Sequence, residues 1–168
     1  MLHMLTRTPT RHIKRFEKER ARPSTKRFLV CYNGGVQGAT ALRAACEMAD
    51  AHTRITAVYL DVLDPSSVCG DQDHPMRASA ILAGALTNAR LCGIAIDVQV
   101  IPCRVRGPAL VAFLNEVGEA TVFLGVERAE LEAHSNPFVE FVCNCVANQV
   151  VLVDDALGGV SDPQGPFD

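Results

Sequence analysis

Residues 28–42 read FLVCYNGGVQGATAL: a short apolar run, a glycine-rich turn, and the first residues of an apolar stripe with helical spacing. The apolar run shows no alternation of polar and apolar side chains, which is typical of a strand buried on both faces. The stripe continues through Ala45 and Ala49. A strand that passes through such a turn into a helix is the first half of a βαβ unit, so this segment predicts a parallel sheet.

The same alternation of strand and helix patterns continues along the chain. Strands are predicted at residues 28–32, 55–60, 94–101, 121–124 and 150–153. Helical stripes between them comprise Leu42, Ala45 and Ala49; Ile81, Ala85 and Ala89; Leu110, Leu114 and Val117; and Phe138, Phe141, Val142 and Cys145. The third helix is expected to open at Pro108 and to end at Gly118. The predicted fold class is therefore α/β, a five-stranded parallel sheet sandwiched by about four helices.

The length of 168 residues and the composition, 48% hydrophobic and 21% charged, indicate one globular domain. We expect a basic tail or linker at residues 1–27, the α/β domain at residues 28–155 and a flexible tail at residues 156–168. Neither a membrane-spanning run nor a secretory h-region is apparent, and the seven Cys lack the spacing of a disulfide framework. These features favour a cytoplasmic protein with reduced thiols.

Charge is distributed unevenly. Residues 1–27 carry nine Lys or Arg and two Glu, a net charge of +7, whereas residues 28–168 carry a net charge of −10. This asymmetry suggests that the tail is either a solvated arm or a contact with an acidic surface, such as anionic lipid or a membrane protein. DNA is not expected as a partner, because the acidic body repels phosphates.

The turn after the first strand is the strongest candidate for ligand contact. Ligands of open parallel sheets bind outside the carboxyl ends of the strands, where Asn33, Gly34 and Gly35 fall. Their spacing matches neither the dinucleotide fingerprint nor a P-loop. The alternative is a plain strand-to-helix turn that needs a positive φ.

Several of these features together resemble the universal stress protein family. They are the Asn-Gly turn after the first strand, four βα units, the Leu124-Gly125 ending of the fourth strand and the closing segment CVANQVVLV at residues 145–153. The similarity covers residues 26–155. It implies an adenine-nucleotide-binding type of α/β fold and a homodimer formed through the last strand, Val150 to Val153.

The resemblance also assigns candidate binding residues. Asn33, Gly34 and Gly35 stand where the family has Asp-Gly-Ser, and Leu60 stands where the second strand meets adenine. Of the family's phosphate loop only Gly125 is kept, while Arg128 replaces the second glycine. Because the glycine and serine that close that loop align with Asn136-Pro137, or with Phe138-Val139 by simple counting, few backbone N–H groups are left for phosphate. We expect ATP or AMP to bind weakly or not at all, with an ATP Kd no tighter than about 100 μM.

The resemblance implies a stress-response protein with a regulatory or binding role and no catalysis. Two alternatives remain: a cytosolic accessory domain of a membrane transporter docked through the basic tail, and a weak nucleotide-dependent enzyme such as an ATPase or nucleotidyl transferase. Nothing in the sequence pairs a nucleophile with a base. The ligand-type side chains Asp71, Asp73 and His74 are expected to cap the following helix and not to bind a metal.

Overall fold

The computed structural model describes residues 25–63 and 73–154 of the chain. Strands and helices alternate along it as β1 (Lys26–Cys31), α1 (Val36–Met48), β2 (Thr53–Val62), α2 (Asp73–Leu91), β3 (Asp97–Cys103), α3 (Arg106–Val117), β4 (Thr121–Val126), α4 (Arg128–Ala133), α5 (Pro137–Cys145) and β5 (Gln149–Asp154). Most of the predicted tail, residue 71 and residues 156–168 lie outside the described residues, as do the side chains of Asp73 and His74.

The strands form one parallel sheet in the order β3-β2-β1-β4-β5. The predicted α/β class is confirmed. β1 lies at the centre, with Phe28 opposite Ile55 of β2 and opposite Thr121 of β4. Its apolar run is buried on both faces, since Leu29 and Val30, which point to opposite sides, are 3% and 0% exposed.

Helices cover both faces of the sheet. On one face, α1 and α2 bury Leu42, Ala45, Ala85 and Ala89 against Phe123. On the other face, α3 and α5 bury their own apolar side chains, Leu110, Leu114 and Val142, against Leu29, Val58, Val122 and Leu124. The first three predicted stripes therefore face the core. The fourth does so only in part, since Val142 is buried and Phe138 packs against the core, whereas Phe141 and Cys145 are exposed.

The start of the third strand and the number of helices differ from the predictions. The third strand begins at Asp97 and not at residue 94, because its ladder with β2 starts at the pair Thr56 and Asp97, while Ile94 and Ile96 pack against the core outside the ladder. A fifth helix, α4, was not predicted. It buries no residue and so has no apolar stripe to reveal it.

The end of the third helix matches the sequence pattern. α3 ends at Val117, and Gly118 follows with a φ of +81° and donates its N–H to the carbonyl of Leu114. The start differs, because α3 begins at Arg106, two residues before Pro108. Within residues 25–63 and 73–154, none of the helices combines the length and the hydropathy required to cross a bilayer.

Candidate functional site

A cavity of about 320 Å³ opens at the carboxyl ends of β1, β2 and β4. This is the edge of a parallel sheet at which ligands bind, and the volume lies at the lower end of the range for small-molecule sites. The lining residues are Cys31, Tyr32, Asn33, Gln37, Gly38, Val58, Tyr59, Leu60, Arg106, Leu124, Gly125, Glu127, Glu130, Asn136 and Phe138.

The first wall is the turn between β1 and α1. Asn33 lines the cavity, and its Oδ1 accepts a hydrogen bond from the backbone N–H of Gly35 at 3.1 Å. Gly34 has a φ of +83°, a conformation that favours glycine. Gly34 and Gly35 are exposed and lie outside the lining. The structure therefore brings Asn33 to the cavity and gives the two glycines a role in shaping the turn.

The second wall is the end of β2. Val58, Tyr59 and Leu60 line the cavity, and Leu60 is buried where the sequence comparison placed the contact with a base. Beside them, Tyr32 donates its backbone N–H to the carbonyl of Val58 at 2.9 Å, and its buried hydroxyl accepts a hydrogen bond from Asn88 Nδ2 at 2.9 Å. This side of the cavity is largely apolar, and its residues are buried.

The third wall is the carboxyl end of β4, at Gly125, together with the turn that follows the strand. A Cβ atom built on Gly125 would overlap the backbone carbonyl of Gln37 and lie 2.9 Å from the Cα atom of that residue. Glycine is required here because the first turn of α1 packs directly on β4. The backbone of Gly125 therefore faces α1 at this point.

Glu127 and Glu130 continue the third wall. Glu127 is the N-cap of α4 and forms a capping box with Glu130. Gln37 Nε2 donates to Glu127 Oε1 at 3.0 Å, and Asn136 Nδ2 donates to Glu130 Oε2 at 3.0 Å. Asn136 also caps α5 by accepting from the N–H of Val139 at 3.2 Å. These bonds tie α1, α4 and α5 together around the cavity.

Arg128 lies apart from the cavity. Its Nε donates to Glu132 Oε1 at 3.0 Å on the exposed side of α4, as expected of an i, i+4 pair in solvent. The positions that align with the glycine and serine of the phosphate loop are the N-cap Asn136 and Pro137, the first residue of α5. Of the backbone there, Pro137 has no N–H, and the N–H of Val139 is used in capping by Asn136.

The electrostatics of the lining are acidic. The charged lining residues are Arg106, Glu127 and Glu130, which together carry one net negative charge. Cys31 also lines the cavity, and burial raises the pKa of its thiol to about 12. Its sulfur is therefore protonated and a poor nucleophile at neutral pH.

Gln37, Arg106, Glu127, Glu130 and Asn136 line the cavity but were not predicted as site residues. Their position in the sequence could have indicated two of them. Arg106 and Glu127 each follow closely on a strand, and residues there lie at the edge of a parallel sheet where ligands bind. The pairing of Glu127 with Glu130 three residues later is also a helix-start signal.

No protein-family model matches the chain, and no curated protein matches it in sequence. Solved structures do match it in fold. A universal stress protein in complex with cAMP superposes with a TM-score of 0.61 at 16% identity, over 76% of this chain and 96% of that one. The chain has the universal stress protein fold. The resemblance predicted from the sequence is confirmed at the level of the fold.

Two further universal stress proteins extend this finding. The Arabidopsis thaliana protein with AMP bound has a TM-score of 0.59 at 12% identity, over 84% of this chain and 99% of that one. The Archaeoglobus fulgidus protein in complex with dAMP has a TM-score of 0.54 at 16% identity, over 76% and 94%. Three structures with the universal stress protein fold thus carry an adenine nucleotide.

Proposed function

We propose that this chain is a non-catalytic, regulatory binding protein whose ligand contains adenine. The observation that carries the proposal is the cavity at the carboxyl ends of β1, β2 and β4. It lies at the ligand-binding edge of a fold in which neighbours hold cAMP, AMP and dAMP.

The apolar wall suits a purine. Val58, Leu60 and Leu124 offer buried apolar surface, and the exposed Asn33 lies at the rim with amide groups that can donate and accept hydrogen bonds. A flat heteroaromatic ring gains from burial against such surface, while a few polar groups fix its orientation.

A binding role is favoured over catalysis by the chemistry of the lining. Its thiol, Cys31, is held protonated by burial, and the lining offers no His or Lys as a base among the residues that the structure describes. The carboxylates of Glu127 and Glu130 accept hydrogen bonds from amide groups.

The test is calorimetric titration with adenosine, AMP and ATP. We expect measurable binding of an adenine compound, with an ATP Kd weaker than about 100 μM, which is roughly −5.5 kcal/mol. Leu60→Phe adds volume at the lining and should weaken binding. Leu91→Phe, at a position 82% exposed near the other end of the sheet, is the matched control and should leave it unchanged. Equal affinities in the two variants, or turnover of ATP by the wild type, would contradict the proposal.

We propose in addition that the protein is a homodimer paired through β5. This strand is at an edge of the sheet, and Val150, Val151 and Leu152 are only partly buried within one chain. An apolar edge strand invites pairing with a second copy. β3 forms the other edge, but its central residues include Gln99 and its burial is lower.

Light scattering tests the assembly. Val151→Lys should convert the dimer to a monomer, because the ammonium group would be buried in the paired interface. Val98→Lys on the opposite edge strand is the control and should remain dimeric. A wild-type monomer at tens of micromolar, or a dimer that survives Val151→Lys with native circular dichroism, would exclude this interface.

A further inference from the structure

We propose that the cavity selects an unphosphorylated purine nucleoside and that Glu127 and Glu130 set this preference by repelling phosphate. The inference rests on the proposed function, because it names the chemical class that the same cavity takes. It predicts the affinity order adenosine, then AMP, then ATP.

Glu127 and Glu130 both line the cavity, and neither is joined to a cation by an ion pair among the described residues. Each accepts a hydrogen bond from a neutral amide, Gln37 for Glu127 and Asn136 for Glu130. The ion pairs among the described residues lie elsewhere, at Lys26 and Asp50, Arg54 and Asp97, and Arg128 and Glu132. Hydrogen bonds from amides orient a carboxylate without neutralising it.

Hydrogen-bonding chemistry favours the nucleoside over the nucleotide. A carboxylate only accepts hydrogen bonds, and the phosphate groups of ATP at neutral pH are also acceptors. Ribose hydroxyls are donors, so they complement Glu127 and Glu130 where a phosphate would face them as a like charge. Arg106 is the cationic side chain of the lining and can offset part of the charge of AMP. The affinity for AMP should therefore lie between the affinities for adenosine and ATP.

The backbone at this wall is equally unsuited to phosphate. The Glu127 side chain accepts from the N–H of Glu130 in the capping box, so it occupies the start of α4. At Gly125, the side on which a Cβ would lie is occupied by the carbonyl of Gln37, so α1 packs against the strand there. The polar side chains that line the cavity at this wall are therefore the carboxylates of Glu127 and Glu130 and the amide of Asn136.

The experiment is calorimetric titration of the full chain with adenosine, AMP and ATP, at low and high salt. Wild type should bind adenosine at least about tenfold more tightly than ATP at low salt, and the gap should narrow as salt screens the carboxylates. The double variant Glu127→Gln/Glu130→Gln should bind ATP more tightly than wild type does, so that most of the difference in affinity between adenosine and ATP is lost. Glutamine keeps an acceptor oxygen at both positions, so the capping of α4 is retained.

A matched control separates the local charges from the net charge. Glu119→Gln/Glu132→Gln removes two negative charges at exposed positions outside the lining, and it should leave the affinity order unchanged. Glu130→Gln alone, which leaves the N-cap residue Glu127 in place, is the substitute test if the double variant folds poorly. It should change the logarithm of the ratio of the ATP and adenosine Kd values by about half as much as the double variant.

The outcomes are distinguishable. ATP binding more tightly than adenosine to the wild type would overturn the preference while leaving the adenine site in place. Equal improvement of ATP binding in both double variants would assign the effect to net charge and also overturn the role of Glu127 and Glu130. Absence of binding by all three compounds at millimolar concentration would reject the adenine site itself, and the preference with it.

Discussion

The two ends of the sheet use charge in opposite ways. At the amino ends of the strands, charged side chains are paired: Lys26 contacts Asp50 and Arg54 contacts Asp97, each at 2.7 Å. Asn148 adds a clamp by donating through Nδ2 to the carbonyls of Gly118 at 2.9 Å and Ala120 at 3.2 Å. These contacts join the loops that precede the strands.

At the carboxyl ends of the strands, two carboxylates border the cavity and are bonded to neutral groups. Glu127 accepts a hydrogen bond from the amide of Gln37, and Glu130 accepts one from the amide of Asn136. The charged side chains named at the amino ends are thus engaged in ion pairs, whereas at the carboxyl ends, where ligands of parallel sheets bind, our proposal assigns Glu127 and Glu130 to recognition. Substitutions at the two ends should therefore differ in what they change.

The largest expected effect is that of Gly125→Ala, at the carboxyl end. The new Cβ would overlap the carbonyl of Gln37, so α1 must shift away from β4. We expect a loss of about 3 kcal/mol in the free energy of unfolding, measured by urea denaturation.

Gly93→Ala is the matched control at the amino end. Unlike Gly125, Gly93 has a φ in the left-handed region, +73°, and nothing lies within 4 Å of a Cβ built there. Its expected cost is about 1 kcal/mol, from backbone strain alone. Equal losses for Gly93→Ala and Gly125→Ala would show that contact with α1 is not what requires glycine at position 125.

An intermediate effect is expected from Asn148→Ala, which removes the clamp at the amino ends. Two carbonyls lose their donor, one of them on the buried Ala120, so unfolding should become easier by about 1–2 kcal/mol. Asn144→Ala, at an exposed position on α5, should change stability by less than about 0.5 kcal/mol. Ligand affinity should be unaltered by both, and a change in affinity on losing Asn148 would break the division between the two ends.

Local pattern was sufficient to predict the strands and the helices that face the core. Leu42, Ala45, Leu110 and Leu114 repeat at helical spacing, and each is at most 1% exposed. α4 could not be predicted in this way. It buries no residue, and its N-terminus is defined by the capping pair of Glu127 and Glu130.

The site was predictable only where strand ends alone define it. Asn33, Leu60 and Gly125 line the cavity because each lies near the carboxyl end of a strand or in the turn after it. The hydrogen bond between Gln37 and Glu127 joins residues 90 positions apart. The close approach of the Gln37 carbonyl to Gly125 comes from the same long-range packing. Such contacts depend on how α1 seats against β4, which no local spacing encodes.

The smallest expected effect is that of Asp50→Asn, and it depends on pH. The pKa of Asp50 is held below its usual value, first by the hydrogen bond from the Lys26 ammonium, then by the Thr53 hydroxyl and the backbone N–H of His52. A lowered folded-state pKa stabilises the fold at pH values above the unfolded pKa, about 4, and the contribution is lost as pH falls through the folded value. The stability difference between wild type and Asp50→Asn should therefore be full at pH 7 and shrink progressively below about pH 4.

A double-mutant cycle of Asp50→Asn with Lys26→Gln isolates the contribution of the pair. The free energy of unfolding of each variant is measured by urea denaturation at pH 7 and again below about pH 4. Because the pair is exposed, its coupling free energy should also weaken in high salt. A coupling free energy that is independent of both pH and salt would show that the charges of Lys26 and Asp50 do not stabilise this end of the sheet.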